Sequence, residues 1–586
     1  MSTLVAAAVR ALARGYPWPV EPSDDLTRAL GFVGSDLDAA TVVRAGYVAG
    51  TLAALAGTAA AVVLSLASMT VPLVAAASGL AATHVVHATP GALARARRTA
   101  ALGDAPGLVG RAVLRMHVEP AAERAAAFAA ETDDGPLARS LAAHVRGARG
   151  GPGSGLGSFA DEWGEEFPAL RRALHLVDAA ADAPSGERGR SLDRAMTAVT
   201  RGTRDRMAEF GARIQGPATG LYAFGVLLPL ALVAVLPAAR VAGVPVTVGA
   251  LVLVYDVALP GCLLAASGWL FTRRPVAFPP PSVPRSHPDV PDHPGRAVAV
   301  GLGAGLASAA LAAVVAPAWA PPLVGVAMGA GVTLLVRYRP IAAVRDHARA
   351  VEAGLVDALY LVGRRVSEGT AVESAVERAA AEVEGETGAT FATAADRQRQ
   401  LRVGVERAFL GDHGALADVP SPRARGTATL LGLASEEGAP AGRALVSMAD
   451  HLADLQALER ECRHDLARVT GTLASTATTF GPLVAGATVA LAAGMGGDAG
   501  GGAAAGLGGR GGGTASSATG VPPLPTAELG LVVGIYVCLL AVVLTVLSTG
   551  LRHGLDRALV GHHVGRALPT AVCVYVGSVV AAGVLV

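Results

Sequence analysis

The sequence predicts an all-α polytopic membrane protein, with about nine transmembrane helices and two cytosolic helical-bundle domains in a parallel internal repeat. Hydrophobic residues make up 52% of the 586 residues and charged residues only 16%, whereas a soluble domain carries about 25% charge. The apolar residues are clustered in runs long enough to cross a bilayer. Two charged regions, 95–215 and 337–468, separate these runs. The net charge of +1 gives no attraction to nucleic acid, which we do not expect as a partner.

The N-terminal segment, residues 1–44, contains five acidic residues before any long apolar run. A cleavable signal peptide would begin basic and become apolar early, so we expect this segment to be retained on the cytosolic side. Residues 45–94 contain no Asp, Glu, Lys or Arg. This run is too long for one span and predicts a transmembrane hairpin that turns near Pro72.

Three further apolar regions predict the other spans. Residues 216–272 predict a transmembrane pair (217–238 and 247–272), and residues 297–336 predict a hairpin broken by prolines and Trp319. Residues 469–586 predict three spans near 470–494, 529–550 and 567–586. The proline-rich segment 273–296 predicts an extended cytosolic connector, and the glycine-rich segment 495–525 predicts a flexible outside loop.

The charged regions are rich in good helix formers. Leu355, Leu359, Val362 and Val366 recur at spacings of three and four, which is typical of an amphipathic helix. Gly369 is expected to separate this helix from the next. We therefore predict a small all-α bundle in each region.

Arginine placement predicts the orientation, because cytoplasmic loops carry an excess of basic residues. With a cytosolic N-terminus in the cell membrane, the outside loops carry only Arg240 and Arg510, and the C-terminus lies outside. The inside ends then carry Arg44, Arg95, Arg97, Arg98, Arg273, Arg274, Arg337, Arg339, Arg552, Arg557 and Arg566.

The order of parts repeats along the chain, which predicts a duplication in parallel orientation. Each half has a hairpin, a charged helical region and a second membrane pair, and a ninth span closes the chain. The segment at 120–131 matches that at 370–382, and Phe224-Gly225 matches Phe480-Gly481. The offsets between matching segments stay between about 247 and 256 residues.

The sequence contains no phosphate loop, nucleophile elbow, zinc-protease motif or dinucleotide fingerprint. No catalytic residue, metal or cofactor is predicted. The Gly46-x-x-x-Gly50 and Gly325-x-x-x-Gly329 motifs have the spacing for close helix packing. Asp256 is the only acidic residue within a predicted span, where a carboxylate is costly and suggests a function. The alternative for Asp256 is a local polar contact with Tyr255, a nearby hydroxyl or water.

Two charged turns of the second region are candidates for binding a partner. Arg423 and Arg425 follow Pro420-Ser-Pro422, and Glu436-Glu437 precede Gly438. Exposed turns carry specificity in helical bundles. The alternative is that these side chains cap helices or bond within the bundle.

Three segments carry a resemblance to a known family. Residues 355–380 (LVDALYLVGRRVSEGTAVESAVERAA) and 430–452 (LLGLASEEGAPAGRALVSMADHL) resemble helix pairs of the type II secretion system F domain, and residues 547–568 are similar to the tail of archaeal members. The first region departs from the pattern, with a glycine-rich insert at 147–157, and resembles a degenerate F domain. Two fused domains with about nine spans look like the archaeal branch, the membrane platforms of archaella and archaeal pili.

The resemblance implies a non-enzymatic membrane platform for type IV pilus assembly or protein secretion. Such a platform couples a cytosolic hexameric ATPase to the assembly of pilin-like subunits, and homo-oligomers are an option. The alternative from the residues alone is a secondary transporter built from parallel repeats. That function requires several polar groups facing each other within the spans, and the sequence offers only Asp256.

Overall fold

The computed structural model describes most of the chain, and every regular element in the described part is a helix. The described residues are 3–64, 68–131, 135–148, 154–241, 247–274, 283–284, 287–290, 294–497, 526–554 and 556–585. The all-α prediction is confirmed for these ranges.

The chain starts with two short helices and a long hairpin. The helices are α1 (Thr3–Ala13), α2 (Asp24–Val33), α3 (Ala39–Val63) and α4 (Val71–Leu102). Ser23 caps α2 because its side-chain oxygen accepts a hydrogen bond from the Leu26 N–H. Pro72 lies in the first turn of α4, where a missing N–H costs nothing, so the predicted turn region is confirmed.

The helices after α4 surround a buried apolar core, which we call cluster 1 (residues 101–199). Its helices are α5 (Ala105–Val118), α6 (Ala122–Glu131), α7 (Pro136–Ala148), α8 (Gly155–Gly164), α9 (Pro168–Asp182) and the start of α10 (Ser185–Tyr222). Leu108, Phe159, Trp163 and Leu170 lie in this core and are fully buried.

A second core, cluster 2 (residues 348–452), is formed by the later helices. They are α16 (Leu355–Ser367), α17 (Val372–Glu382), α18 (Gly385–Leu401), α19 (Val405–Leu410), α20 (Pro422–Glu437) and the start of α21 (Ala439–Ser475). The four apolar residues of the predicted amphipathic helix are all buried in α16. Gly369 has a φ of 89° and separates α16 from α17 as predicted, since glycine tolerates this conformation.

The long helices α10 and α21 continue from the clusters into apolar segments through π-helical turns. The turn Ala223–Leu227 joins α10 to α11 (Leu228–Val241), and the turn Thr476–Phe480 joins α21 to α22 (Gly481–Gly497). A third π-helical turn, Leu253–Ala258, lies between two further helices. These are α12 (Val248–Val252) and α13 (Leu259–Arg273). Such turns are rare in proteins, and those that occur are often at functional sites.

Nine helical stretches in the described ranges are long and apolar enough to cross a membrane, as the sequence predicted. The remaining helices are α14 (Pro294–Val315), α15 (Ala320–Ala353), α23 (Thr526–His553) and α24 (Arg557–Leu585). The nine stretches are Ala39–Val63, Val71–Thr99, Gly186–Leu236, Val248–Phe271, Gly295–Val315, Ala320–Ser367, Ala441–Ala493, Thr526–His553 and Arg557–Val584.

The last helix begins at Arg557, ten residues before the predicted span 567–586. Asp556 explains the earlier start, because its Oδ1 accepts hydrogen bonds from the N–H groups of Ala558 (2.9 Å) and Leu559 (3.0 Å). A carboxylate in this position satisfies backbone donors that a helix start otherwise leaves free.

Glycines allow the helices of both hairpins to approach closely. A Cβ on Gly50 of α3 would lie 2.9 Å from the carbonyl oxygen of Gly79 in α4. A Cβ on Gly301 of α14 would lie 2.7 Å from the carbonyl oxygen of Gly329 in α15. The packing role predicted for the two glycine motifs is therefore confirmed.

The boundaries predicted at 94/95, 215/216, 336/337 and 468/469 all fall inside continuous helices. The clusters are therefore joined to the spans by uninterrupted helical backbone. The conformations predicted for the connector 273–296 and the loop 495–525 concern segments that lie mostly outside the described residues. Within the first, His287 is buried, with Nε2 2.9 Å from the carbonyl oxygen of Asp418 at the surface of cluster 2.

Candidate functional site

The candidate partner-binding residues lie at the two ends of helix α20. Ser421 caps the start of this helix by accepting a hydrogen bond from the Ala424 N–H (3.0 Å), which places Arg423 and Arg425 in its first turn. Gly438, with a φ of 73°, ends the helix and turns the chain into α21. Glu436 and Glu437 form the last turn before this glycine, as the sequence predicted.

Arg423 does not lie on an open turn. Its Nη1 donates hydrogen bonds to Glu459 Oε2 at 2.8 Å and to Glu352 Oε2 at 3.3 Å. Ser421 Oγ donates to Glu352 Oε1 at 2.6 Å, and Arg463 also pairs with Glu459. This network joins α15, α20 and α21, and the two glutamates are mostly buried.

The expectation of an exposed Arg423 is therefore wrong. Burial by itself would lower the pKa of Arg423, but the carboxylates of Glu459 and Glu352 raise it above its usual value. A charged group held in this way needs its partners, because removing one leaves an uncompensated charge in a poorly solvated place. Arg423 therefore has a structural role, because it holds α15, α20 and α21 together.

Arg425 and Glu436 are exposed, as the sequence predicted for these turns. The Glu437 side chain lies outside the described part of the chain. Glu436 lies eleven positions after Arg425 on the same helix, which corresponds to about 16 Å along the axis. The basic and the acidic turn therefore form two separate surfaces rather than one patch.

Sequence reasoning missed a cavity of about 340 Å³ between the two clusters. Arg111 and Phe128 line it from cluster 1, and Arg423 and His451 line it from cluster 2. His553, at the end of α23, contributes to the same lining. These residues are up to several hundred positions apart in the chain, and no local pattern in the sequence brings them together.

Helix packing also joins the clusters beside this cavity. Phe128 and Leu114 of cluster 1 pack against the core of cluster 2. The long helices α10 and α21 lie in contact, and Arg204 Nε of α10 is 2.9 Å from Glu461 Oε2 of α21. The cavity is therefore a gap within an interface that the two clusters share.

Asp256 lies in the π-helical turn Leu253–Ala258, and its Oδ1 is buried without a hydrogen-bond partner. The neighbouring Tyr255 donates its hydrogen bond to the Pro229 carbonyl oxygen at 2.7 Å. Two other side-chain oxygens in described spans, those of Ser267 and Thr545, are also buried without a partner. No hydrogen bond links any two of these three groups, so they form no relay.

The described residues contain no group of three His, Cys, Asp or Glu side chains placed to hold a metal ion. No protein-family model, no curated protein and no solved structure matches the chain. The nine candidate spans and the all-helical fold give the chain the architecture of a multi-pass membrane protein.

Proposed function

We propose that this chain is the integral membrane platform of a type IV pilus-like assembly machine. In this role clusters 1 and 2 are cytosolic bundle domains, and cluster 2 docks a hexameric secretion ATPase. The platform couples this ATPase to the assembly or secretion of pilin-like subunits in the plane of the bilayer. It performs no chemistry of its own and needs no cofactor.

The observation that supports the proposal most is that the two segments that resemble the F domain each form a pair of helices separated at a glycine. Residues 355–380 fall on α16 and α17, which are separated at Gly369. Residues 430–452 fall on the end of α20 and the start of α21, which are separated at Gly438. Both segments are thus helix pairs with a glycine turn, as the resemblance to the F domain implies.

Matching features in the two halves of the chain support the proposed duplication and the two-domain form of such a platform. Thr83 Oγ1 donates to the Gly79 carbonyl oxygen at 3.0 Å, and Thr333 Oγ1 donates to the Gly329 carbonyl oxygen at 2.8 Å. Each pair faces a glycine of the neighbouring helix, Gly50 in the first hairpin and Gly301 in the second, and the pairs are 250 residues apart. The π-helical turns after the two clusters begin 253 residues apart, within the range of offsets that the sequence predicted.

The test is charge reversal on α20 in the full-length protein. Arg425→Glu, or Glu436→Arg with Glu437→Arg, adds repulsion to a docking surface while leaving the core unchanged. We expect each change to reduce co-purification of the host's secretion ATPase by roughly tenfold, which corresponds to about 1.4 kcal/mol, and to reduce the number of filaments.

Arg423→Glu serves as the matched control. Because Arg423 ties α15, α20 and α21 together, this variant is expected to lower the melting temperature, whereas the other two variants melt normally. Normal ATPase binding and normal filament numbers in both surface variants would reject α20 as the docking element.

A further inference from the structure

Among the residues of helix α1 whose side chains are described, Arg10 is the only charged one, and the rest are apolar. Its inner face, with Ala6 and Val9, packs on the small core formed by α2 and the start of α3. Its outer face consists of four apolar residues and Arg10, and Arg14 follows one turn later. The exposed apolar residues are Val5, Ala7, Ala8 and Ala11. A helix that is apolar on nearly every side is not stable facing water.

Aromatic rings continue from the end of α1 to the first hairpin. The ring centroids of Trp18 and Tyr16 are 4.9 Å apart, those of Tyr16 and Tyr47 are 5.2 Å apart, and those of Tyr47 and His87 are 5.3 Å apart. Trp18 is the outermost ring of this row and is 62% exposed. An exposed tryptophan between two prolines is costly in water, whereas membrane interfaces are enriched in tryptophan and tyrosine.

The row of rings lies at the level where the first span begins. Tyr47 is the third residue of the uncharged run that starts at Ala45, and the Gly15 backbone approaches Val48 one residue further along α3. The outer face of α1 and the exposed ring of Trp18 are thus next to the end of the first candidate span, at the end of the hairpin where α4 continues toward cluster 1.

We propose that α1 and Trp18 are embedded in the headgroup layer of the membrane and anchor the N-terminal segment there. The occupant of this surface is the lipid bilayer itself. Its apolar face would be covered by the upper acyl chains, as for other interfacial helices. Arg10 and Arg14 carry the charge that attracts anionic headgroups, and their long side chains reach the phosphates from a helix lying in the interface.

The anchor also holds cluster 1 at the membrane through α2. Arg97 Nη1 donates to the Val33 carbonyl oxygen at the end of α2 (2.7 Å). The guanidinium carbon of Arg98 lies 5.6 Å from the Phe32 ring centroid and 5.3 Å from that of Trp163 in the core of cluster 1. Glu166 pairs with the same arginine at 2.6 Å. Arg97 and Arg98 belong to α4, so these contacts attach α2 to cluster 1 through α4. The ring centroids of Phe32 and Trp163, which are 6.3 Å apart, add a direct contact between α2 and cluster 1.

Tryptophan quenching in vesicles tests the proposal on the full-length protein. The quencher is phosphatidylcholine that carries bromine either near the headgroup or deep in the acyl chain. The difference in quenching between the native protein and Trp18→Phe gives the share of the quenching that Trp18 contributes. We expect this share to be at least twofold larger with the shallow label. Trp269→Phe provides the lipid-contacting control, since Trp269 lies in span α13 and is 46% exposed.

Quenching by iodide, which stays in water, tests the alternative that Trp18 is exposed to water. If the Trp18 signal is quenched by iodide and by neither brominated lipid, α1 faces water and the proposal is overturned. Stronger quenching by the deep label overturns it as well. Phosphatidylglycerol is expected to increase shallow quenching in the native protein, and an equal increase in Arg10→Gln with Arg14→Gln would overturn the role given to the arginines.

Discussion

A buried arginine joins the start of the last helix, α24, to α15, the helix that enters cluster 2. Arg345 of α15 is 3% exposed, and its two terminal nitrogens donate to Asp556 at 2.7 and 2.8 Å. Asp556 also caps the start of α24. Burial would raise the pKa of Asp556, but the hydrogen bonds from Arg345 and from the backbone lower it below its usual value. The carboxylate thus fixes two helices at once.

Asp556→Asn is expected to destabilise the protein by about 3 kcal/mol, because it leaves a buried guanidinium without its counter-charge. Asp346→Asn is the matched control. Asp346 pairs with Arg349 one turn away but is 72% exposed, so the loss should stay below about 1 kcal/mol. Thermal unfolding in detergent measures both, and equal melting temperatures for the two variants would refute the role of the buried pair.

The pH dependence of this pair has a definite sign. The pKa of Asp556 is lower in the folded than in the unfolded protein, where it is about 3.9. The stabilisation is therefore present above about pH 4 and is lost as the pH falls through the folded pKa. Between pH 5 and 8 the Asp556 pair should add no slope to stability.

At the residue scale the sequence identified charged side chains but not the residues to which they bond. It singled out Arg423 because a proline-bounded turn usually exposes its side chains. The two carboxylates that hold Arg423 are 71 positions before it and 36 positions after it, and helix packing alone brings them there. Arg425, two residues further, has no such partner among the described residues and remains exposed.

At the scale of elements, the close crossing of the two hairpins depends on which side of a helix a glycine occupies. In α14 a Cβ on Gly305 would lie 2.6 Å from the Gly325 carbonyl oxygen, whereas a Cβ on Gly303 would meet nothing within 4 Å. Gly305→Ala must therefore push α15 away, since backbone atoms cannot rotate aside.

We expect Gly305→Ala to destabilise the protein by about 1–3 kcal/mol through overpacking and to lower its yield in the membrane. Gly303→Ala adds the same methyl group to the same helix and should be neutral or slightly stabilising. Thermal melts of the two purified variants decide the matter. Indistinguishable melting curves would show that α14 and α15 are not held together at this crossing.

The periodic patterns predicted the elements well where the physics is local. Uncharged runs indicated the hairpins, and the spacing of apolar residues indicated α16. The ends of the helices were less predictable, because α4, α10, α15 and α21 continue past the point where the composition changes from apolar to charged. Good helix formers on both sides of each boundary leave the backbone no reason to break.

At the scale of the whole molecule, the arginine asymmetry makes a prediction about sidedness. In a variant without the four native cysteines, a membrane-impermeant thiol reagent should modify Ser517→Cys in intact cells. Arg172→Cys in cluster 1 and Ser374→Cys in cluster 2 are exposed positions that should react only after lysis. Labelling of either cluster in intact cells would contradict the proposed cytosolic location.

The order of spans and charged regions was predictable from composition alone, because a bilayer imposes the same length and polarity on every crossing. The contact between the two clusters could not be predicted from composition. It depends on α10 and α21 lying side by side, and no pattern in the sequence of either helix predicts that it packs against the other.

These two helices, with the segments that follow them, form the two longest candidate spans among the described residues, at 51 and 53 residues. At 1.5 Å per residue they are rods of about 77 and 80 Å, more than twice the hydrocarbon thickness of about 30 Å. Each cluster is thus connected to its apolar segment by helical backbone, without an intervening loop. Along the first rod the backbone hydrogen-bond ladder is interrupted at Pro217 and at the π-helical turn Ala223–Leu227, and along the second at the turn Thr476–Phe480. Prolines and π-helical turns are where long helices bend, so these are the places at which each rod is expected to flex.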